Sequence, residues 1–289
     1  SVKLSYSAAR NRNTKTNESR KMKPACPPAI FSCSDWPDHS KLMPCGSLSA
    51  EISSIAVSAW PELKREHLGA NAKVVFDQRV EVQGPSFAED PMNVPITVRV
   101  KGIADVQRVV VLVDRNPIRK VLEYQPVAAL PVIGFRFKLE QASLVRAAVQ
   151  TKNGQWFVGS TWVDSAGGGC TVNGATRTDG SWSQTLGQGQ AKVYGQSAAI
   201  GDAGARLRLR VMHPMDTGLV GGVPAFYVNK LVVRDADGRE LARLLTFEPV
   251  SENPVFSFDF ASPPRVPLSI AGSDNNGNKI ALSTSPNAP

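Results

Sequence analysis

Short runs in which apolar and polar residues alternate constrain the fold of this chain more than any other feature. In Val94–Val100 (VPITVRV), Thr97 and Arg99 lie on one face and apolar side chains on the other, as in a half-buried β-strand. Similar runs, bounded by Pro, Gly or Asn, lie at Val106–Asp114, Val132–Leu139, Ser143–Thr151 and Trp156–Val163. Asn153-Gly154 separates two of them and favours a type I′ hairpin turn, because both residues tolerate positive φ angles. Five strands with little helix between them predict an antiparallel β-sandwich over residues 60–163.

A second β-rich block covers residues 205–289. Its predicted strands are Arg206–Val211, Phe226–Arg234, Glu240–Phe247, Val255–Phe260, Val266–Ala271 and Lys279–Ser283. Asp237-Gly238 and Asn276-Gly277 supply turns between consecutive runs. This regular spacing again predicts a small β-sandwich, so we expect an all-β chain with two sandwich domains.

Residues 164–204 separate the two blocks and differ from both in composition. They hold ten of the chain's 23 glycines and only five charged residues. A segment of this kind buries too little apolar surface to offset the entropy lost when its backbone is ordered. We therefore expect a flexible, Gly-rich connector between the sandwiches.

Residues 1–59 show no sustained periodicity and are rich in Asn, Ser, Lys and Pro, which is typical of a disordered extension. Leu48–Ala59 ends in Ala-Val-Ser-Ala, which resembles the small-residue motif before a secretory cleavage site. Two interpretations stay open. The stretch is a leader that directs export, or it is an artefactual or unprocessed leader. Trp60 then opens a short helix, with Pro61 at its first position and Gly69 at its end.

The distribution of charge argues against a nucleic-acid partner. The chain has 33 Lys and Arg against 25 Asp and Glu, a net charge of +8. Residues 1–50 hold eight of the cations and three acidic residues, so the remainder, with 25 cations and 22 acidic residues, is nearly neutral. A groove for phosphates needs cations clustered on folded elements, with stacking aromatic side chains. No apolar run approaches the roughly 18–20 residues that cross a bilayer, so we expect no membrane span.

Cys170 is the residue best suited to chemistry, because it follows three consecutive glycines, Gly167, Gly168 and Gly169. Glycines place no side chain beside the sulfur and let the backbone swing. We therefore expect an exposed, mobile thiol on a swinging arm, able to enter the cleft of another protein. The competing interpretation is an incidental cysteine in a linker.

The other cysteines, Cys26, Cys33 and Cys45, lie in the N-terminal extension with His39 between them. Their spacing does not match the C-x₂₋₄-C pairs of structural zinc sites, so we expect no metal ion.

Enzyme classes find little support in the sequence. The chain has three histidines, and no nucleophile elbow, HExxH, phosphate-loop or dinucleotide-binding motif occurs in a fitting context. A nucleophile–base pair of Cys170 and His213 stays open as an alternative. His213 lies at the end of a predicted strand, where a structural histidine is the more common role.

Several motifs of the first half resemble the SoxY family. They are Val94-Pro95-Ile96, the strand end Leu112-Val113-Asp114-Arg115-Asn116-Pro117 and, above all, Gly168-Gly169-Cys170. The second half resembles the SoxZ family in the order and spacing of three further motifs. These are Val211-Met212-His213-Pro214-Met215-Asp216-Thr217-Gly218, Val223-Pro224-Ala225-Phe226 and Ser251-Glu252-Asn253-Pro254-Val255-Phe256-Ser257-Phe258. Together they resemble the fused carrier described as quinoprotein dehydrogenase-associated SoxYZ-like.

The resemblance implies a function as well as a fold. Both halves would be immunoglobulin-like sandwiches that pair within the chain, and Cys170 would carry sulfur intermediates covalently in the periplasm. It implies inorganic sulfur species as cargo, no cofactor, and as partners Sox-type oxidising enzymes or cytochromes, or a quinoprotein dehydrogenase. The chain would serve these enzymes without being one itself. In SoxY the cysteine lies near the free chain end, whereas Cys170 is followed here by the connector.

Three hypotheses follow for the chain. The first is a covalent sulfur carrier, and the second is a docking or structural module in which Cys170 is incidental. The third is a cysteine-dependent enzyme, which requires a base and an oxyanion site near the sulfur. The loop 213–218 is expected to shape the interface between the two halves.

Overall fold

The computed structural model describes residues 59–195 and 204–284. The expectations for the N-terminal extension, including the leader motif, Cys26, Cys33, Cys45 and His39, lie outside the described residues. Within them the chain is built mostly from β-strands, arranged in two main sheets. The all-β prediction is therefore confirmed.

The first half begins with a short helix and continues as strands. Residues 59–63 are helical, the turn Lys64–Leu68 continues them, and Gly69, with φ +104°, ends the helix as predicted. The strands that follow are β1 (Val74–Phe76), β2 (Val80–Gln83), β3 (Phe87–Ala88), β4 (Val94–Val100), β5 (Val106–Val113), β6 (Lys120–Gln125), β7 (Val132–Phe137), β8 (Ser143–Thr151) and β9 (Trp156–Ser165).

The rest of the described chain contains two short helices and seven strands. The elements are α1 (Ala175–Asp179), α2 (Trp182–Thr185), β10 (Gly189–Tyr194), β11 (Ala205–Val211), β12 (Val228–Arg234), β13 (Glu240–Thr246), β14 (Val255–Phe260), β15 (Ser269–Asp274) and β16 (Lys279–Ser283). Among the described residues, no helix has the length and apolar character needed to cross a membrane.

Both sheets run without interruption from the first half into the second. One has the strand order β1-β9-β8-β5-β6-β13-β12-β15-β16, with β3 paired to β9, and the other has the order β10-β11-β14-β7-β4-β2. At the junction, which we call the seam, residues 243–246 of β13 pair antiparallel with residues 122–125 of β6. In the second sheet, Ser257 of β14 faces Gly134 of β7. The two halves are thus joined by backbone hydrogen bonds in both layers.

A single apolar core fills the space between the sheets and includes buried residues of both halves. Tyr124 of β6 and Phe258 of β14 meet across the seam, with ring centroids 5.7 Å apart. The Tyr124 hydroxyl donates to the carbonyl of Leu130 at 2.8 Å, so its burial leaves no polar atom without a partner. The pairing of the halves is therefore a continuation of one core.

Residues 164–195 carry regular secondary structure, contrary to the expectation of an unstructured connector. Tertiary contacts order this segment although it contains few apolar residues. The Glu252 carboxylate accepts the first N–H groups of α1, and Arg177 on α1 stacks on Trp182, 4.1 Å from the ring centroid, and pairs with Asp216. Strand β10 then pairs with β11 along its whole length. Residues 196–203 of the predicted connector lie outside the described residues.

We expect the two halves to unfold as one cooperative unit, because they share both sheets and the core. Phe258→Ala should lower the free energy of unfolding by about 3–5 kcal/mol, the usual cost of emptying a buried aromatic site. In a background with Trp36 and Trp182 changed to Phe, the remaining tryptophans, Trp60, Trp156 and Trp162, all lie in the first half. Their fluorescence and far-UV circular dichroism should shift to the same lower denaturant midpoint.

Leu219→Ala is the control, since Leu219 is 41% exposed. With either signal, the measured free energy of unfolding should change by no more than a few tenths of a kcal/mol. A tryptophan midpoint that stays in place in Phe258→Ala, while part of the circular dichroism is lost early, would show independent halves.

Candidate functional site

The chain turns back after β9 and lies against the end of β7. Residues 167–171 form this segment, which we call the arm. Its backbone bonds to the residues that follow β7: Gly168 N–H donates to the Glu140 carbonyl at 3.1 Å and Gly169 N–H to the Leu139 carbonyl at 3.2 Å. Gly167 and Gly168 have φ angles of +96° and +84°, which favour glycine. The glycines thus allow the arm to turn and dock.

Gly169 is required by a close approach. A Cβ atom at this position would lie 2.3 Å from the Pro91 carbonyl oxygen and 2.6 Å from that of Leu139. Both obstacles are backbone atoms and cannot rotate away. Any larger residue must therefore push the arm off the surface.

Cys170 is buried in the docked arm, with only 1% of its surface exposed. Its N–H donates to Glu140 Oε2 at 2.8 Å, and its carbonyl accepts from the Thr217 hydroxyl at 2.7 Å. The thiol donates to the Lys138 carbonyl at a sulfur–oxygen distance of 3.5 Å. Thr171 adds a hydrogen bond of 3.0 Å to the other carboxylate oxygen of Glu140.

The expectation of an exposed thiol is wrong for this conformation. Burial and, to a smaller extent, the negative charge of Glu140 raise the pKa of the Cys170 thiol to about 12, while Lys138 opposes the shift. Only the thiolate is a good nucleophile, so the docked thiol is unreactive at neutral pH. The sequence argument failed because the glycines that free a backbone also let it approach another backbone closely.

Lys138 is the unusual neighbour of Cys170. Its side chain is almost fully buried, and its ammonium donates to the Met215 carbonyl at 2.5 Å. Burial lowers the pKa of Lys138, and the acidic groups Cys170, Asp216 and Glu252 act in the opposite direction. The amino group of Lys138 therefore lies near the Cys170 thiol in a largely water-free setting.

The second half supplies the other wall of the site through the loop 213–218. Thr217 bonds to Cys170, Met215 bonds to Lys138, and Asp216 pairs with Arg177 of α1. The loop thus contacts the arm, the end of β7 and the helix that follows the arm. It shapes the interface between the halves, as its motif led us to expect.

His213 has both ring nitrogens turned to other groups. Nδ1 accepts the Met215 N–H at 3.1 Å, and Nε2 lies 3.4 Å from Asp274 Oδ2. The ring also packs on Phe226, with centroids 4.4 Å apart. Burial lowers the pKa of His213 to about 4, and the nearby Asp274 only partly offsets this. Because Nδ1 accepts the Met215 N–H, the neutral ring carries its hydrogen on Nε2 and has no free nitrogen for the Cys170 proton, which argues against the nucleophile–base pair.

Sequence reasoning found Cys170 and the glycines but missed the groups that hold them. Lys138 directly follows the alternating strand β7 and Glu140 lies in the next turn, where charged residues are ordinary and give no signal. Thr217 belongs to a quoted motif, yet nothing in the motif indicates that its hydroxyl meets the arm.

Comparison with known proteins finds a family model similar to each half. Residues 64–170 match the family model described as "Sulfur oxidation protein SoxY", and residues 196–284 match "Sulphur oxidation protein SoxZ". The first match ends on Cys170. Among solved structures, the sulfur carrier protein SoxY from Chlorobium limicola f thiosulfatophilum is 16% identical, with a TM-score of 0.34 over 40% of this chain and 98% of that one. No curated protein matches the chain.

Gly169→Ala should release the arm and speed the alkylation of Cys170 by N-ethylmaleimide at least tenfold, measured by mass spectrometry of the Cys170 peptide. The new methyl group cannot coexist with the Pro91 and Leu139 backbone, so the thiol becomes solvated and its pKa falls. Gly221→Ala is the control, because a Cβ there meets nothing within 4 Å and its φ angle is not positive. It should leave the alkylation rate of Cys170 unchanged. Equal rates in the two variants would contradict the docking geometry.

Protonation of His213 should weaken the fold in mild acid. Its pKa is about 4 in the folded chain and about 6.5 in an unfolded chain, so the unfolded state binds more protons between these pH values. The free energy of unfolding should therefore fall as pH drops from 6.5 to 4, by on the order of 2 kcal/mol from this group. His213→Gln should be less stable at pH 7 but show a flatter decline in urea titrations. An unchanged slope would show that His213 does not contribute.

Proposed function

We propose that this chain, which joins a SoxY domain to a SoxZ domain in one polypeptide, carries sulfur compounds as covalent adducts of Cys170. The observation that carries the proposal is the position of Cys170, the last residue of the SoxY match, on a glycine arm beside the SoxZ half. The chain would act in the periplasm and present its cargo to Sox-type oxidising enzymes or cytochromes, or to a quinoprotein dehydrogenase. It would need no cofactor of its own.

Loading joins two sulfur atoms and therefore releases electrons. The Cys170 thiol loses its proton, and its sulfur bonds to the outer sulfur of thiosulfate to give Cys–S–S–SO₃⁻. Two electrons leave, and a partner oxidoreductase with a one-electron centre accepts them in turn. Hydrolysis of the terminal S–S bond on a second enzyme would release sulfate and two protons and leave a persulfide on Cys170.

The docked conformation suits storage and protects the thiol. Burial and a pKa of about 12 keep Cys170 from reacting, so loading requires the arm to leave its site. The bonds that must break are those to Glu140 and Thr217, together with the backbone contacts of Gly168 and Gly169. Glu140 and Thr217 would act as a latch and perform no chemistry.

A docking module is the second candidate, and the burial of Cys170 favours it. A small buried thiol is also an ordinary packing residue. In that case the chain would present surfaces to a dehydrogenase, and Cys170 would never form an adduct.

Tetrathionate separates the two candidates without a partner enzyme. A Cys170 thiolate that attacks its central S–S bond forms Cys–S–S–SO₃⁻ and releases thiosulfate, so no added oxidant is needed. In a background with Cys26, Cys33 and Cys45 changed to Ser, intact-mass spectrometry should show one S₂O₃ adduct that reductant removes.

The same background carrying Cys170→Ser is the control and should gain no mass. Gly169→Ala should load faster than the parent, because its arm is released. A thiol that stays bare in both the parent and Gly169→Ala would reject the carrier function and leave the docking module.

A further inference from the structure

An open groove crosses the seam on the outer face of the six-stranded sheet, away from the core. Its main part has a volume of about 460 Å³, and an adjoining part of about 350 Å³ shares Arg136, Arg208 and Val255 with it. Val255 and Ser257 of β14 lie between the walls. Gly134 of β7 forms part of the groove floor. A larger residue would not fit there, because its Cβ would lie 2.4 Å from Ser257 Oγ. The groove exists only because the two halves are joined.

Cations form both walls. Arg136 projects from β7 on one side, and Arg208 and Arg210 project from β11 on the other. All three are exposed, and none forms a salt bridge with any residue in the described part of the chain. Arg206, beside them, differs because it is bound to Asp259 at 2.6 Å.

The register places two cations directly opposite one another. Lys192 of β10 faces Arg208 of β11 in the antiparallel ladder. Like charges at opposed positions destabilise a sheet unless an anion lies between or above them. The Glu252 carboxylate at the end of the groove does not serve this purpose, because Ala175 and Thr176 of α1 donate to it.

The shape of the groove fits an extended chain better than a small inorganic anion. Apolar side chains line it together with the arginines, among them Pro95, Tyr194 and Val255. A free oxyanion gains nothing from apolar surfaces. A peptide with alternating acidic and apolar side chains can contact both the arginines and the apolar side chains. Its acidic groups would meet the arginines, which favour paired contacts with carboxylates.

We infer that this groove binds an acidic segment of the partner protein that loads or unloads the carrier. The inference rests on the proposed function for its need of a partner, but the groove itself does not include Cys170. Charge complementarity would speed the encounter and make it sensitive to salt. The segment would lie along β14, parallel to the seam.

A fluorescein-labelled peptide of four Asp-Val repeats is the probe, and its anisotropy with the full chain at low ionic strength is the measurement. Arg136→Gln combined with Arg208→Gln should weaken binding at least tenfold. The control combines Lys230→Gln with Arg239→Gln, two exposed cations of the other sheet and its turns, and removes the same charge. It should change binding less than twofold, and thermal melts should show all variants folded.

Three results would overturn the inference. They are absent binding, equal weakening in both double variants, and displacement of the peptide by thiosulfate beyond that by NaCl of equal ionic strength, which would indicate a small-anion site. Cys170→Ser should bind the peptide like the parent. The peptide experiment therefore tests peptide binding in the groove independently of the carrier function. The tetrathionate experiment tests the carrier function alone.

Discussion

Backbone pairing of β6 with β13 and of β7 with β14 is the constraint on which the rest of the structure depends. It fixes the end of β7, which carries Lys138 and Glu140, against the loop 213–218 of the second half. The surface that receives the arm is made of both parts. The groove floor lies on the same seam. Because one chain carries both halves, their association does not depend on concentration, so the assembled site is the ground state of the protein.

The arm is docked by hydrogen bonds and a close backbone approach rather than by a large apolar contact. A few hydrogen bonds of about 1 kcal/mol each, with a stronger one to the Glu140 carboxylate, oppose the release of residues 167–171. A docking free energy of about 3 kcal/mol would leave the released form at roughly 1% of the population, which in the proposed carrier would allow reaction and protect the sulfur between reactions. The glycines make both states accessible, since they allow the close approach and add few side-chain contacts that release would break.

The sequence predicted most of the long strands and missed β6, the short strands β1, β2 and β3, and β10 within the expected connector. Val94–Val100, Ser143–Thr151, Val255–Phe260 and Lys279–Ser283 were predicted at their observed bounds. Strand β6 was missed because both of its faces are covered: Glu123 is buried in it and bound by Arg108 and Lys120, so its pattern is not alternating. Without β6 the seam could not be anticipated. Without the seam, neither the burial of Cys170 nor the groove could be predicted, because each joins residues far apart in sequence.

The loop 251–253 connects the arm and the groove physically. Asn253 N–H donates to the His213 carbonyl, and its side chain accepts from His213 N–H, so this loop is tied to the one that holds Cys170. Glu252 caps α1, which directly follows the arm, while Ser251 and Asn253 line the groove. The same loop therefore supports both the docked arm and one end of the groove.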